Sequence, residues 1–301
     1  MARRRARWRA ELRALVVGAS GQVGGALARQ LAARGSTAVG THHGAPAPGT
    51  VPLDVSDHAA VAARVAVADV VFFTAAFSHV DGCEDDPARA FAVNRDAPAA
   101  AAALAARRHA PFVLYSTEYV FDGAAGPYAE DDPVHPLSVY GRSKLEGERA
   151  VLDAHPDALV LRTTVVYGVE RQGKNFVYQV LRRVRAGEPI RVPSDQRSSP
   201  TYVEDLAAAS LALVDKRQSG VLNVTGPEVM DRHAFTREIC RAFGLDARRV
   251  EPVATASLGQ QAPRPLAAGL RIDRLTALGV VMRAPADGLA AMRAAMEARR
   301  G

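Results

Sequence analysis

Leu12-Arg-Ala-Leu-Val-Val-Gly18-Ala-Ser-Gly21-Gln-Val-Gly24 decides the fold. A β-like run, Leu12–Val17, enters three glycines spaced three apart, and helix-forming residues follow from Gln22 to Arg34, stopping near Gly35. Such a turn needs a residue that accepts unusual dihedrals, and a diphosphate approaching the backbone needs a missing side chain. The helix start behind it offers unpaired N–H groups and a favourable dipole to that anion. At a strand-to-helix junction, G-x-x-G-x-x-G therefore predicts a dinucleotide-binding turn built from Gly18, Ser20, Gly21, Gln22, Val23 and Gly24. The plainer alternative is a structural turn.

Outward from that turn, short β-like runs alternate with helical stretches, the signature of a parallel sheet made of βαβ units. Strands are expected at Thr37–Thr41, Val51–Leu53, Asp69–Phe73, Phe112–Tyr115 and Leu159–Thr163. A long helix with acids at its entry and Pro87 near its first position is expected to run to about Arg108. Its Ala-rich tract, Pro98–Ala106, reads as packed helix, because Ala is the best helix former. An irregular stretch with Gly123, Gly126, Pro127, Pro133 and Pro136 leads to a helix at Ser138–Ala154. Beyond Gly168 the alternation loosens: Asn175–Gly187 and Val203–Asp215 read as helices and Val221–Val224 as a late strand. The fold expected is α/β, a doubly wound parallel sheet of the Rossmann kind, with a smaller C-terminal α/β substrate domain. The dinucleotide-binding domain is placed at 12–168 plus 198–227 and the substrate domain at 169–197 plus 228–301, with the site in the cleft between them.

Composition bounds the rest. The 301 residues are 48% hydrophobic and 23% charged, ordinary globular values that exclude a disordered or fibrous chain. No apolar run is long enough to span a membrane. Two cysteines, Cys83 and Cys240, make neither a disulfide framework nor a zinc site of usual spacing, and a reducing cytoplasm is the simplest setting. The net charge of +6 is local: residues 1–13 carry six Arg and one acid, and the remainder holds 32 bases against 31 acids. Residues 1–11 form a basic arm, read as a disordered or helical extension or an upstream start, and nucleic-acid binding is rejected.

An NAD site of this architecture usually carries an acid about 20 residues past the glycines, for the ribose 2′-hydroxyl. Thr37–Pro48 contains none; it offers Thr41, His42 and His43, which can donate to a 2′-phosphate. NADPH is therefore favoured, with NADH as the alternate donor. Asp54, followed by Val55, is placed to accept from an adenine amino group or, alternatively, to cap the helix beginning near Ser56.

Tyr140 and Lys144 stand four apart on the predicted Ser138–Ala154 helix, so both emerge from one face. A free tyrosine, with a pKa of about 10, is a poor acid at neutral pH. A neighbouring ammonium favours the phenolate and makes the group usable. Ser116 and Thr117, just past a strand's C-terminal end, supply a hydroxyl that can orient a carbonyl or the phenol.

Together, Gly18–Gly24, Asn94 and Tyr140-Gly-Arg-Ser-Lys144 resemble the extended short-chain dehydrogenase/reductase superfamily. More narrowly, Ser116–Gly123 through Pro127-Tyr128, then Tyr140–Glu148, resembles the dTDP-4-dehydrorhamnose reductase family. So do Ala75-Ala76-Phe77, Val80-Asp81, Val93-Asn94, Arg162-Thr163, Asn175-Phe176, Ser199–Tyr202, Arg264-Pro265 and Leu275–Gly279. The resemblance implies NAD(P)H-dependent reduction of the 4-keto group of a nucleotide-linked 6-deoxyhexose. Tyr140 would supply the proton, Lys144 would bind the nicotinamide ribose and lower the phenol's pKa, and Thr117 would bond the reacting oxygen. Ala75, Ala76, Asn94 and Ser116 fall to the cofactor side, with Asn94 bracing the site from the neighbouring helix; Val80, Asp81, Glu118, Tyr119, Asn175, Phe176, Gln196 and Arg197 fall to the sugar-nucleotide side, with Arg197 a candidate for the diphosphate.

The family pattern has Asp after the threonine, where this chain has Glu118. One methylene can move a carboxylate by about 1 Å, enough to change substrate choice. Two other readings stay open: a non-catalytic, NADP-binding regulatory subunit like that of methionine adenosyltransferase, and an epimerase or ketoreductase of the same superfamily. The expected setting is cytoplasmic, with a nucleotide sugar as small-molecule partner, no metal, no nucleic acid, no membrane, and a homodimer as the candidate assembly.

Overall fold

The structure, a computed structural model, describes residues 12–299. The basic arm expected over residues 1–11 lies outside the described residues. Strand β1 (Arg13–Val17) feeds helix α1 (Gln22–Ala33) and β2 (Thr37–His42); β3 (Thr50–Pro52) leads through α2 (His58–Val65) to β4 (Val70–Phe73). Then α3 (Val80–Asp85), α4 (Pro87–Phe91), a π-helical turn (Ala92–Asp96) and α5 (Ala97–Arg107) precede β5 (Phe112–Thr117). Helix α6 (Val139–Ala154) joins β5 to β6 (Leu159–Thr163). After α7 (Phe176–Arg185) and α8 (Val203–Asp215), the strand Gly220–Asn223 returns to the sheet; α9 (Arg232–Phe243), α10 (Asp273–Ala277) and α11 (Pro285–Ala298) follow.

The seven strands lie in the order Gly220–Asn223, β6, β5, β4, β1, β2, β3, with every neighbouring pair parallel. Strand alternation feeds two cores. Ala14 and Val16 of β1 pack with Phe72, Val113 and Leu161 against α1 and α8, while Leu15 and Val17 pack with Val71, Phe73, Leu114 and Val160 against α2, α5 and α6. Both faces are covered, which is why these strands read as continuous apolar runs. Each fully buried ring, such as Phe72, Phe73 or Phe112, contributes about 2 kcal/mol of burial free energy.

The long helix expected up to Arg108 is broken. Asp86 separates α3 from α4 and caps the latter, its Oδ1 accepting from Arg89 N at 3.0 Å, with Pro87 at the first helical position. The π-helical turn then interrupts α4 and α5. Inside it, the Asn94 side chain accepts from Phe77 N (2.9 Å) and donates to Phe77 O and Ser143 Oγ (both 3.0 Å). Local sequence contributes, with Pro98 in the first turn of α5, and the Asn94 contacts fix the turn in place. Strand β5 also extends to Thr117, because Ser116 and Thr117 keep parallel partners in β6, Arg162 and Thr163.

A third core holds no strand of the large sheet. Val177, Val180, Leu181, Ile190, Val192, Phe235, Ile239, Leu289 and Met292 bring α7, α9, α11 and the paired strands Ile190–Pro193 and Val250–Val253 together. The stretch 228–301, expected as one unit, is divided: Leu275, Val280 and Met282 pack into the large sheet's core instead. Strand order reverses between β1 and β4, so the crevice beyond their C-terminal ends is where such a sheet takes a ligand.

Candidate active site

The three glycines at the end of β1 have different physical tasks. Gly18 sits at φ +88°, and a Cβ there would lie 2.9 Å from Ala75 N. A Cβ at Gly24 would lie 2.4 Å from Gly18 O, so helix and turn pack backbone to backbone. At Gly21 a Cβ would touch only Gly18 O, at 3.3 Å, and otherwise fill open space in the cleft. Gly21 also caps α1 without a side chain, and the first turn carries no acid. A bare helix start of three turns thus faces the cleft, a cradle suited to a diphosphate.

That cleft encloses about 1180 Å3. It is lined by Gly18, Ser20, Gly21, Gln22, Val23 and Gly24, by Thr41, His42 and His43, by Asp54 and Val55, and by Ala75 and Ala76. Their chemistry is partly committed already. Thr41 is buried and its Oγ1 accepts from Gly18 N at 3.1 Å, holding the turn. His42 Nδ1 meets Thr50 Oγ1 at 2.8 Å, which leaves His43 as the exposed imidazole. Asp54 accepts from both the backbone and the hydroxyl of Ser56, and these bonds hold its carboxyl below the usual range. The cap of α2 is Asp57.

Sequence spacing missed an arginine here. Arg89 of α4 lines the cleft, lies over the Phe77 ring at 4.7 Å, and acts electrostatically on Asp54 together with His43. The positive charge absent from Thr37–Pro48 arrives from a segment some 40 residues later.

At the end of β5, the Thr117 hydroxyl acts on the nearby Tyr140 phenol, pulling its pKa down, while its Oγ1 accepts from Tyr119 N at 3.2 Å. Burial holds the half-buried phenol well above its ordinary pKa, and the Thr117 hydroxyl pulls it back. The Tyr119 ring packs edge-on against Tyr140, centroids 5.5 Å apart. Lys144 departs from expectation. Its Nζ donates to the Tyr115 carbonyl at 2.6 Å rather than to the phenol. The two residues share a helix face, but the four-carbon stem runs along the sheet to β5. Burial lowers the Lys144 ammonium to about 8 despite Glu148 one turn away. Ser116, expected on the cofactor side, is buried and donates to Glu148. Asn94 braces the loop after β4 against α6 rather than lining the cleft.

Of the residues expected on the substrate side, Asn175 and Phe176 line the cleft. Asn175 caps α7 through Tyr178 N and donates to Gly168 O at 2.9 Å. Gln22, with its amide turned to satisfy both ends, reaches across to Val166 O, Gly168 N and Asn175 Nδ2 at 3.1–3.2 Å. Val80 and Asp81 open α3, and Asp81 Oδ1 accepts from Ala262 N and Arg264. Gln196 is buried beside Gln260. Arg197 is exposed and does not line the cleft; on this side Arg232 does, over the Phe176 ring at 4.9 Å. Gln172 and Lys174 line it too, Gln172 donating to Ser20 O at 3.3 Å, and sequence reasoning found neither. Glu118 is buried and its Oε1 accepts from Ser198 Oγ at 2.8 Å. Burial raises its carboxyl to about 7, against the pull of Thr164, Ser198 and Arg232.

A family model described as the RmlD substrate binding domain matches residues 12–297. The chain is 41% identical, over 84% of its length and 82% of the relative's, to a dTDP-4-dehydrorhamnose reductase of Mycobacterium tuberculosis. It is 37% identical, over 94% and 97%, to a protein of Haloferax volcanii named as a probable low-salt glycan biosynthesis reductase. A crystal structure of dTDP-4-dehydrorhamnose reductase from Bacillus anthracis in complex with NADP superposes with a TM-score of 0.84 at 27% identity, covering 94% of this chain and 98% of that one. A glycine cradle, a Thr–Tyr pair at the end of β5 and this shared architecture place the chain in the dTDP-4-dehydrorhamnose reductase family, among the NAD(P)-dependent oxidoreductases.

Proposed function

We propose that the chain reduces the 4-keto group of a nucleotide-linked 6-deoxyhexose, using NADPH in preference to NADH. The observation that carries this reading is the closeness of the Thr117 and Tyr140 hydroxyls beyond β5: neither lines the cleft, but Tyr140 packs in one cluster with Phe77, which does, and the bare start of α1 lines it too. When bound, the dinucleotide supplies the hydride. Gly18, Gly21 and Gly24 would admit its diphosphate, and His43 with Arg89 would face its adenosine end.

The residues of the chain do the rest. Thr117, fixed by Tyr119 N, orients the phenol, and Tyr140 delivers its proton to the carbonyl oxygen as that oxygen gains negative charge. Burial keeps the phenol protonated until the substrate oxygen becomes strongly basic, and the Thr117 hydroxyl offsets part of the acidity that burial takes away. Lys144, partly titrated near neutrality, would hold the nicotinamide ribose. Arg232 and Lys174 line the cleft with positive charge, matching a diphosphate-linked sugar. The third core, around α7, α9 and α11, would carry that sugar nucleotide. The two thiols, Cys83 and Cys240, are free and buried, in keeping with a cytoplasmic setting.

The test is NADPH oxidation by the purified protein with a dTDP-4-keto-6-deoxy-L-hexose, beside NADH and a substrate-free control. Substrate-dependent oxidation, faster with NADPH, is expected. Absence of turnover while NADPH still raises the melting temperature would sink the reductase reading and leave a binding protein.

A further inference from the structure

Beneath the catalytic helix lies a buried charge network that the chemistry above does not use. Glu148 is one turn beyond Lys144 on α6, the spacing at which a lysine and a glutamate form an ion pair. They make no such hydrogen bond. Oε1 of Glu148 accepts from Ser116 Oγ and from Arg162 Nε (3.0 Å), and Oε2 accepts from Arg162 Nη2 (2.7 Å) and Nε (3.2 Å). Arg162 donates also to Glu130 O at 3.1 Å and lies over the Phe121 ring at 5.1 Å. Lys144, Glu148 and Arg162 are 2%, 2% and 4% exposed, so the trio holds a net positive charge out of water. Removing one member of such a set leaves an uncompensated buried charge that takes the nearest partner.

We propose that Arg162 is a positioning residue for the reaction: by saturating the Glu148 carboxylate, it keeps that carboxylate from drawing in Lys144 and so leaves Nζ directed at the Tyr115 carbonyl at the end of β5. Without Arg162, the bare carboxylate one helical turn away is the strongest acceptor within reach of the ammonium. Lys144 would swing back along α6, away from the substrate-facing end of the sheet, and would hold its proton to higher pH.

No other charge competes for Lys144 among the described residues packed on α6. Arg95, on the π-helical turn, pairs with Glu146 and Asp96 on the exposed side. Glu84 of α3 accepts from Val139 N at the start of α6, and Cys83 lies buried beside it. Glu118 is held by Ser198, and the Tyr140 phenol is served by Thr117. The Tyr115 hydroxyl donates to Ser210, on the opposite face of the sheet.

The inference rests on the reductase reading only for its consequence in turnover; the geometry can be tested without substrate. The chain has three lysines, Lys144, Lys174 and Lys216, so 13Cε-lysine labelling gives three NMR signals, with Lys144 assigned by its loss in Lys144→Arg. In wild type the Lys144 signal is expected to titrate near 8. In Arg162→Met its midpoint should rise by about one pH unit, the scale of a new close ion pair. The double variant Glu148→Gln/Arg162→Met should bring it back below the single variant. If NADPH oxidation is measurable, kcat should fall about tenfold or more in Arg162→Met and recover partly in the double variant, a rescue that lost packing would not produce. A Lys144 midpoint unchanged in folded Arg162→Met, or a double variant no different from the single, overturns the proposal. Should Arg162→Met fail to fold, Glu148→Gln decides: with Arg162 intact the Lys144 midpoint should shift only slightly and downward, and an upward shift overturns the proposal.

Discussion

The two walls of the cleft are made differently. The wall at the ends of β1, β2 and β4 is almost uncharged and fixed by close backbone approach around one contiguous glycine turn: Gly24 against Gly18, Gly18 against Ala75, and Thr41 holding the Gly18 amide. The opposite wall gathers Gln172, Lys174, Asn175, Phe176 and Arg232 from two separate stretches, with the buried Glu118 behind it. One wall is preorganised by shape and tolerates little; the other works through charge and can be retuned one side chain at a time. A shared cofactor with divergent sugars asks for that division of labour.

The contrast yields expectations of decreasing size. Tyr140→Phe should lower kcat by about 100-fold or more, the usual scale for losing a general acid. NADPH affinity, set by the glycine wall, should stay within twofold of wild type in a fluorescence titration. A mutant within a few-fold in kcat would remove Tyr140 from the mechanism.

Next is the charged side. Glu118 titrates near 7 in the fold, above its value in the unfolded chain. Between roughly pH 4.5 and 7 the native carboxyl therefore binds more protons than the unfolded one, and stability falls as pH rises through that window, by at most about 3 kcal/mol. Above it, the loss is complete. Glu118→Gln should flatten the slope and gain stability at pH 8, read from urea midpoints at pH 5 and pH 8. Equal slopes in the two proteins would mean that the carboxyl is not neutralised by burial.

The glycine wall is sharpened by Gly21→Ala. Its added methyl meets only Gly18 O, at 3.3 Å, so folding should survive with a small change in melting temperature. The methyl would occupy the cleft, and NADPH affinity should fall about 10- to 100-fold, the equivalent of an overpacked contact. If stability fell and affinity held, the open space at Gly21 would not be the diphosphate's. The smallest effect is expected at Arg232→Ala: a rise of about tenfold in KM for the sugar nucleotide with the NADPH Kd unchanged. A change in the NADPH Kd instead would assign Arg232 to the cofactor and erase the distinction between the walls.

Legibility in sequence follows the same division. Leu12–Gly24 could be read because its strand, turn and helix start are contiguous, and Tyr140 and Lys144 because a helical period joins them. Arg89, Arg232, Gln172 and Lys174 could not, since no spacing links them to the glycines; tertiary folding brings them there. The direction of the Lys144 side chain was equally hidden. Helical spacing offers it both Tyr140 and Glu148, and only Arg162, on another strand, settles which neighbour is free. The interruption at Ala92–Asp96 did carry a mark, Pro98 in the first turn of α5, but the alanines around it outweighed that mark in a reading by propensity.

That interruption has an evolutionary side. A π-helical turn amounts to one residue more than an α-helix needs, so deleting a residue there would bring α4 and α5 back into α-helical register, with Pro98 still breaking the hydrogen-bond ladder between them. It would also rotate everything on one side by about 100° relative to the other, swinging Asn94 away from Phe77 and Ser143. The extra residue thus behaves as a ratchet: once the loop after β4 and helix α6 depended on Asn94, it could not be shed in a single step without losing those bonds.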